Sequence, residues 1–267
     1  MLPETSSFRG RVAVITGAAQ GVGEATARLF AARGAAGLAL VDRQAERLDA
    51  LAHELSEEGC PAEPLCADLA DVAACFGAVD RAAARFGELH CLINAAGRTD
   101  RGTIDDTTPE LFDRLMAVDA RAPFFLIQRI LPHLRRAGGG TIVNIVSITV
   151  HGGLPHLAPY VAAKGALAAM TRNIAAAVAR DRIRVNGLNL GWTLTPAEHR
   201  VQTEHHGLPE DWAETAGRKL PFGRLLTAAD AARAIAFLAS EESGLMTGAL
   251  IDFDQQVVGA YPLPAAE

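Results

Sequence analysis

Short aliphatic runs alternate with longer stretches in which apolar positions recur every three to four residues, and the alternation continues from residue 11 to residue 253. The runs RVAVIT (11–16), AGLALVD (36–42), 62–66, LHCLI (89–93), TIVNIVS (141–147), IRVNGLNL (183–190) and 248–253 predict strands. The stretches 22–33, 44–58, 71–86, 109–136, 158–180 and 228–240 predict helices. Gly34, Gly59 and Gly87 follow helical patterns where a left-handed cap suits glycine, while Asp71 and Thr108-Pro109 mark helix starts. Strands that are apolar without alternation are covered on both faces, so the expected fold is α/β, a doubly wound parallel sheet of about seven strands with helices on both faces. No linker or compositional break interrupts the pattern, which predicts that 1–267 form a single domain. Residues 191–223 lose the rhythm, turn polar and carry both Trp192 and Trp212, which marks them as an inserted lid where substrate would sit.

Composition narrows the classes. With 49% hydrophobic residues and a formal net charge of −6 among 267, the chain is neither disordered nor furnished with a basic footprint for nucleic acid. Alanine dominates the apolar content and only 5% of residues are aromatic, which favours closely packed helical layers over an aromatic-rich sandwich. Cys60, Cys66, Cys75 and Cys91 form no CxxC pair and have no histidine at ligand spacing, so neither a metal site nor a disulfide framework is expected. The opening MLPETSSFRGRVAVITG lacks a basic segment followed by a long apolar core, and no apolar run approaches the roughly 20 residues that cross a bilayer. A cytoplasmic protein with no membrane partner is the expectation.

The first strand runs straight into Gly17-Ala18-Ala19-Gln20-Gly21-Val22-Gly23 and then a helix. Glycines there allow a sharp turn and close approach of a pyrophosphate, whose charge meets free N–H groups at the helix start, as in a Rossmann fold. Asp42 ends the second strand, where a carboxylate meets the adenosine ribose and repels a 2′-phosphate; with Gln20 uncharged, this favours NAD over NADP. Arg43 beside it leaves room for a 2′-phosphate held by a guanidinium. Ser147 ends the fifth strand, and Tyr160 and Lys164 stand four residues apart on one helix face. A phenol that ordinarily loses its proton near pH 10 becomes a usable base when an ammonium and an oxidised nicotinamide favour the phenolate. Ser147 would polarise the substrate oxygen, Tyr160 exchange the proton, and Lys164 tune Tyr160.

TGAAQGVG, Asp68, NAAG (94–97), Ser147 and YVAAK (160–164), in this order over residues 8 to 253, resemble the classical short-chain dehydrogenase/reductase family. The resemblance implies that Asp68 and the adjoining Leu69 meet the adenine, that Asn94, Ala95, Ala96 and Gly97 line the cofactor channel, and that Val185-Asn186 begin the strand ending at the nicotinamide. The roles it implies for Ser147, Tyr160 and Lys164 agree with the chemistry above, and it places both Tyr160 and Lys164 against the cofactor. Two departures stand out. VDARAPFF puts Asp119 where the family has an asparagine that reaches the lysine through a water. Leu190-Gly191 replaces a proline-glycine pair, with Thr193 and Thr195 as candidates for the carboxamide of the nicotinamide. The tail from Ile251 to Tyr261-Pro262 also lacks the family's diglycine. The resemblance further implies a homotetramer built on the last strand and the alanine-rich 158–180 helix.

Substrate choice would fall to 98–106, 148–157 and 191–223. His151, His156 and Glu198 suit a hydroxylated substrate such as a sugar or polyol, whereas His199, His205 and His206 lack the spacing of a metal site. The leading expectation is NAD-dependent interconversion of a secondary alcohol and a ketone. NADPH-linked 3-oxoacyl reduction and a nucleotide-binding regulator without turnover are the alternatives.

Overall fold

A computed structural model describes residues 7–259. Its main sheet has seven parallel strands: β1 (Val12–Thr16), β2 (Gly37–Asp42), β3 (Ala62–Cys66), β4 (Cys91–Asn94), β5 (Gly140–Ile145), β6 (Ile183–Leu190) and, last in the chain, β9 (Leu250–Phe253). Their spatial order is β3-β2-β1-β4-β5-β6-β9, so the winding reverses between β1 and β4 and opens a crevice at their carboxyl ends. β7 (Thr193–Leu194) and β8 (Leu226–Thr227) pair separately.

Alternate side chains of each strand feed two cores. Ala13 and Ile15 pack with Phe30 of α1 (Gly21–Ala32), Leu48 and Leu55 of α2 (Ala45–Glu57), and Ile235 of α9 (Ala228–Ala239). Val12 and Val14 pack on the opposite face with Val79 of α3 (Val72–Phe86), Ile130 of α5 (Ala122–Arg136) and Val178 of α6 (Ala158–Val178). Alanines let the layers close: Ala27 of α1 and Ala232 and Ala236 of α9 are fully or almost fully buried where these helices meet. Asp71 caps α3 by accepting the Ala73 N–H at 2.9 Å. No helix of the described residues is long and apolar enough to cross a membrane.

Three expectations change. The 109–136 helix is divided into α4 (Pro109–Met116), a π turn over Ala117–Arg121, and α5. Pro123 explains the break: it has no N–H to give the Asp119 carbonyl one turn back, and the wider turn instead brings the Ala122 N–H to the Ala117 oxygen. The fifth strand stops at Ile145, so Ser147 lies beyond it and caps a 3-10 turn over Ile148–His151. The 191–223 segment is more ordered than its polarity suggested, holding β7, α7 (Pro196–Arg200), a π turn over Val201–His205 and α8 (Trp212–Gly217). Tyr261 and Pro262 of the tail lie outside the described residues.

Candidate active site

A cleft of about 1260 Å³ opens over the carboxyl ends of β1, β4, β5 and β6. Gly17, Gln20, Gly21, Val22 and Gly23 form one end of it. Glycine is required at both edges of this turn: a Cβ on Gly23 would stand 2.2 Å from the Gly17 carbonyl oxygen, and one on Gly17, at φ +69°, would meet Ala96 backbone at 2.8 Å. Thr16 ties the turn to β4, its hydroxyl accepting from the Ala95 and Ala96 N–H groups at 3.1 Å. Asp42 faces the same end; its Oδ2 accepts from Ala19 N at 3.2 Å and its Oδ1 from Gln44 N at 3.0 Å, which orients the carboxylate with lone pairs to spare. Gln20 accepts from Arg47 at 3.0 Å and from Arg200 at 3.3 Å, joining turn, α2 and lid. Arg43, Asp68, Leu69, Ala95, Ala96, Gly97, Gly191, Thr193 and Thr195 also line the cleft. The crowded glycine turn and free helix start fit a dinucleotide.

Asn94 is the predicted residue the structure leaves outside the cleft. It is buried behind the strand ends, where its amide donates to Asn144 at 2.8 Å, and Asn144 donates to Thr171 of α6 at 2.9 Å. This amide chain fixes β4, β5 and α6 against one another, so Asn94 supports the cleft from below.

Ser147, Tyr160 and Lys164 meet at the cleft's centre. The Ser147 hydroxyl accepts from Thr149 N at 3.2 Å and Thr149 Oγ1 at 2.9 Å, leaving its own proton to give. The Lys164 ammonium is held beneath the Tyr160 ring, 5.7 Å from the centroid, and donates to the Ile145 carbonyl at 2.8 Å. Asp119, fully buried in the π turn, is 3.0 Å from the Lys164 nitrogen and accepts from Arg98 N at 3.1 and 3.2 Å. Gly97 makes room for the pair, since a Cβ there would fall 2.9 Å from Asp119 Oδ1 and 3.4 Å from Lys164 Nζ. Burial works against both charges: it pushes the Asp119 carboxyl up despite Lys164, while at Lys164 it is outweighed by Asp119 and Tyr160, which hold the ammonium above its ordinary value. Burial also pushes the Tyr160 phenol up; Lys164 and the Ser147 hydroxyl pull it down, while Asp119 and Glu198 add to the rise. The Asp119 carboxylate thus contacts the lysine directly.

The lid covers the other end. Trp192, Glu198 and Gln202 line the cleft, and Thr195 caps α7 by accepting from Glu198 N at 3.2 Å. Trp212 does not: it is buried and stacks on Trp192 with centroids 5.6 Å apart, while its indole N–H donates to His199 at 3.1 Å. His199 is also 2.9 Å from Glu210, and His151 2.8 Å from Asp252. These histidines hold loops, and among the described residues no group of three or more potential ligands could bind a metal. Sequence reasoning missed Arg101 and Gln202. Gln202 stands four residues after Glu198, a helical spacing visible only once 196–205 is read as helical.

A family model described as enoyl-(acyl carrier protein) reductase matches residues 17–255. The cis-4-hydroxycyclohexanecarboxylate dehydrogenase of Sinomonas cyclohexanicum is 36% identical over 249 residues, covering 93% of this chain and 96% of that protein. A 3-oxoacyl-[acyl-carrier-protein] reductase of Thermotoga maritima is 34% identical over 253 residues, covering 94% and 99%. Among solved structures, L-sorbose reductase from Gluconobacter frateurii, complexed with NADPH and L-sorbose, superposes with a TM-score of 0.89 at 29% identity, covering 96% of this chain and 100% of that one.

Proposed function

The chain belongs to the classical short-chain dehydrogenase/reductase family, oxidoreductases acting on CH–OH groups, and from that premise we propose that it is an NAD-dependent dehydrogenase interconverting a secondary alcohol and a ketone on a sugar or polyol. The carrying observation is that Ser147, Tyr160 and Lys164 converge in the cleft whose far end holds the glycine turn and Asp42. A nicotinamide bound there supplies the hydride acceptor.

Tyr160, as phenolate, takes the proton of the substrate hydroxyl, and in the reverse direction its O–H returns it. Ser147 donates to the substrate oxygen and holds it in line with Tyr160. Lys164 stabilises the phenolate electrostatically, and Asp119 fixes Lys164 beneath the ring. Asp42 favours NAD, because a 2′-phosphate would meet its carboxylate; Thr193 and Thr195, which line the cleft, would meet the carboxamide.

A second reading has one observation in its favour: Arg43 lines the same end and could pair with a 2′-phosphate, which suits NADPH-linked carbonyl or 3-oxoacyl reduction, the activity named for the Thermotoga relative. A homotetramer built on β9 and α6, as the family resemblance implies, is read by light scattering. Absorbance at the reduced-nicotinamide band, across polyols, sugars, hydroxy acids and hydroxysteroids with both cofactors in parallel, tests the reading. Turnover with NAD on a hydroxylated substrate supports it. Turnover restricted to NADPH and oxoacyl substrates transfers support to the second reading, and no turnover with either nucleotide sinks both.

A further inference from the structure

Glu198 is a carboxylate among the residues that line the cleft. It lies in the first turn of the lid helix α7, and its side chain is only 13% exposed. All its partners converge on one oxygen: Trp192 Nε1 donates to Oε1 at 2.9 Å, Gln202 Nε2 at 2.7 Å, and Arg101 Nη2 lies 3.6 Å away. Among the described residues no donor reaches Oε2. Two hydrogen bonds and an ion pair therefore hold the carboxylate in place and leave one strong acceptor without a protein donor in the cleft that Ser147 and Tyr160 also line.

We propose that Glu198 Oε2 is the subsite for a second hydroxyl of the substrate, so that the enzyme selects polyhydroxylated alcohols over mono-alcohols. This rests on the polyol dehydrogenase reading above and assigns its specificity to one atom. A charged acceptor that loses its water without gaining a donor when substrate fills the cleft is costly, so a substrate lacking the hydroxyl is disfavoured as well as less attracted. Arg101 offsets the carboxylate charge, so a neutral hydroxyl fits better than an ammonium, and a substrate carboxylate at this point would meet like charge.

Glu198→Gln separates this role from a structural one. The donors from Trp192 and Gln202 both require an acceptor at Oε1, so the glutamine carbonyl stays with them and its NH₂ takes the place of Oε2. The shape is kept and the open acceptor becomes a donor. The probes are cyclohexanol, the three positional cyclohexanediols and 2-aminocyclohexanol, each with NAD. The wild type is expected to give a higher kcat/KM on at least one diol than on cyclohexanol. In Glu198→Gln that ratio falls about 10- to 100-fold, the factor set by one hydrogen bond to a charged group. The same ranking is readable without turnover, by calorimetric titration of the diols and cyclohexanol into protein saturated with NADH. Equal losses on diol and mono-alcohol, a wild type that ranks cyclohexanol first in both kinetics and titration, or a preference for the amino-alcohol overturns the subsite. A diol preference in titration without any reduced nicotinamide formed supports the subsite and counts instead against the dehydrogenase reading.

Discussion

The contact between Lys164 and Asp119 permits a quantitative test. Two unit charges 3.0 Å apart attract by about 5.5 kcal/mol at an effective dielectric of about 20. Both side chains are nearly or fully buried, at 5% and 0% exposure, so solvent screens the pair little. Replacing Lys164 with methionine leaves Asp119 in the π turn with only the Arg98 N–H to answer its charge, and a buried ion stripped of its partner costs about 3–5 kcal/mol. Asp119→Asn is milder in shape, since the amide oxygen can still accept from Lys164, but it leaves the ammonium with the Ile145 carbonyl as its other acceptor. The double variant Lys164→Met/Asp119→Asn removes both charges together, so its loss should fall short of the summed single losses by about 2–3 kcal/mol. Urea unfolding of the four proteins at pH 7, without cofactor and followed by far-ultraviolet circular dichroism, measures this coupling. Single losses that add to within about 0.5 kcal/mol would refute an ionised pair and remove the electrostatic role assigned to Asp119.

The same residue sets a pH dependence: the Asp119 carboxylate holds the Tyr160 phenol up, so Asp119→Asn should move the acidic limb of kcat/KM for alcohol oxidation to lower pH, and an unmoved limb contradicts it. Gly23→Ala should abolish cofactor binding or folding outright, because its Cβ would stand 2.2 Å from the Gly17 oxygen, a clash with backbone that no side-chain movement relieves; calorimetric titration with NAD reads it. Asp230 closes a capping box with Thr227 at the start of α9 and pairs with Arg224, which holds its carboxyl well below the usual carboxylate range. A depressed folded-state value means stability present above the unfolded value near pH 4 and lost as pH falls through the folded one, so Asp230→Asn should cost about 1–2 kcal/mol at pH 7 and progressively less below pH 4 in urea unfolding.

The sheet was legible because buried parallel strands write themselves as unbroken aliphatic runs, and the glycine turn because its spacing reflects steric needs that Gly17 and Gly23 display. Tyr160 and Lys164 were legible for a similar reason: one helical turn separates them, and α6 supplies that turn. Contacts between distant segments were not. The resemblance brings Asp119 toward Lys164 only through a water; the direct contact follows from Pro123 opening a π turn and from Gly97 leaving space opposite. Asn94 illustrates the converse, since its motif marks the cofactor channel while its side chain turns inward to Asn144. The lid resisted reading because α7 and α8 have five and six residues, too few for a periodic pattern, and are held by long-range contacts such as the Trp192–Trp212 stack.

Tyr160→Phe tests the central claim most directly, because it removes one oxygen and leaves the ring over Lys164. Measured on one preparation, NADH binding by nucleotide fluorescence should stay within a few-fold of the wild type while reduced-nicotinamide formation from the best alcohol falls by at least about 10²-fold. Retained turnover in Tyr160→Phe would contradict Tyr160 as the group that moves the proton.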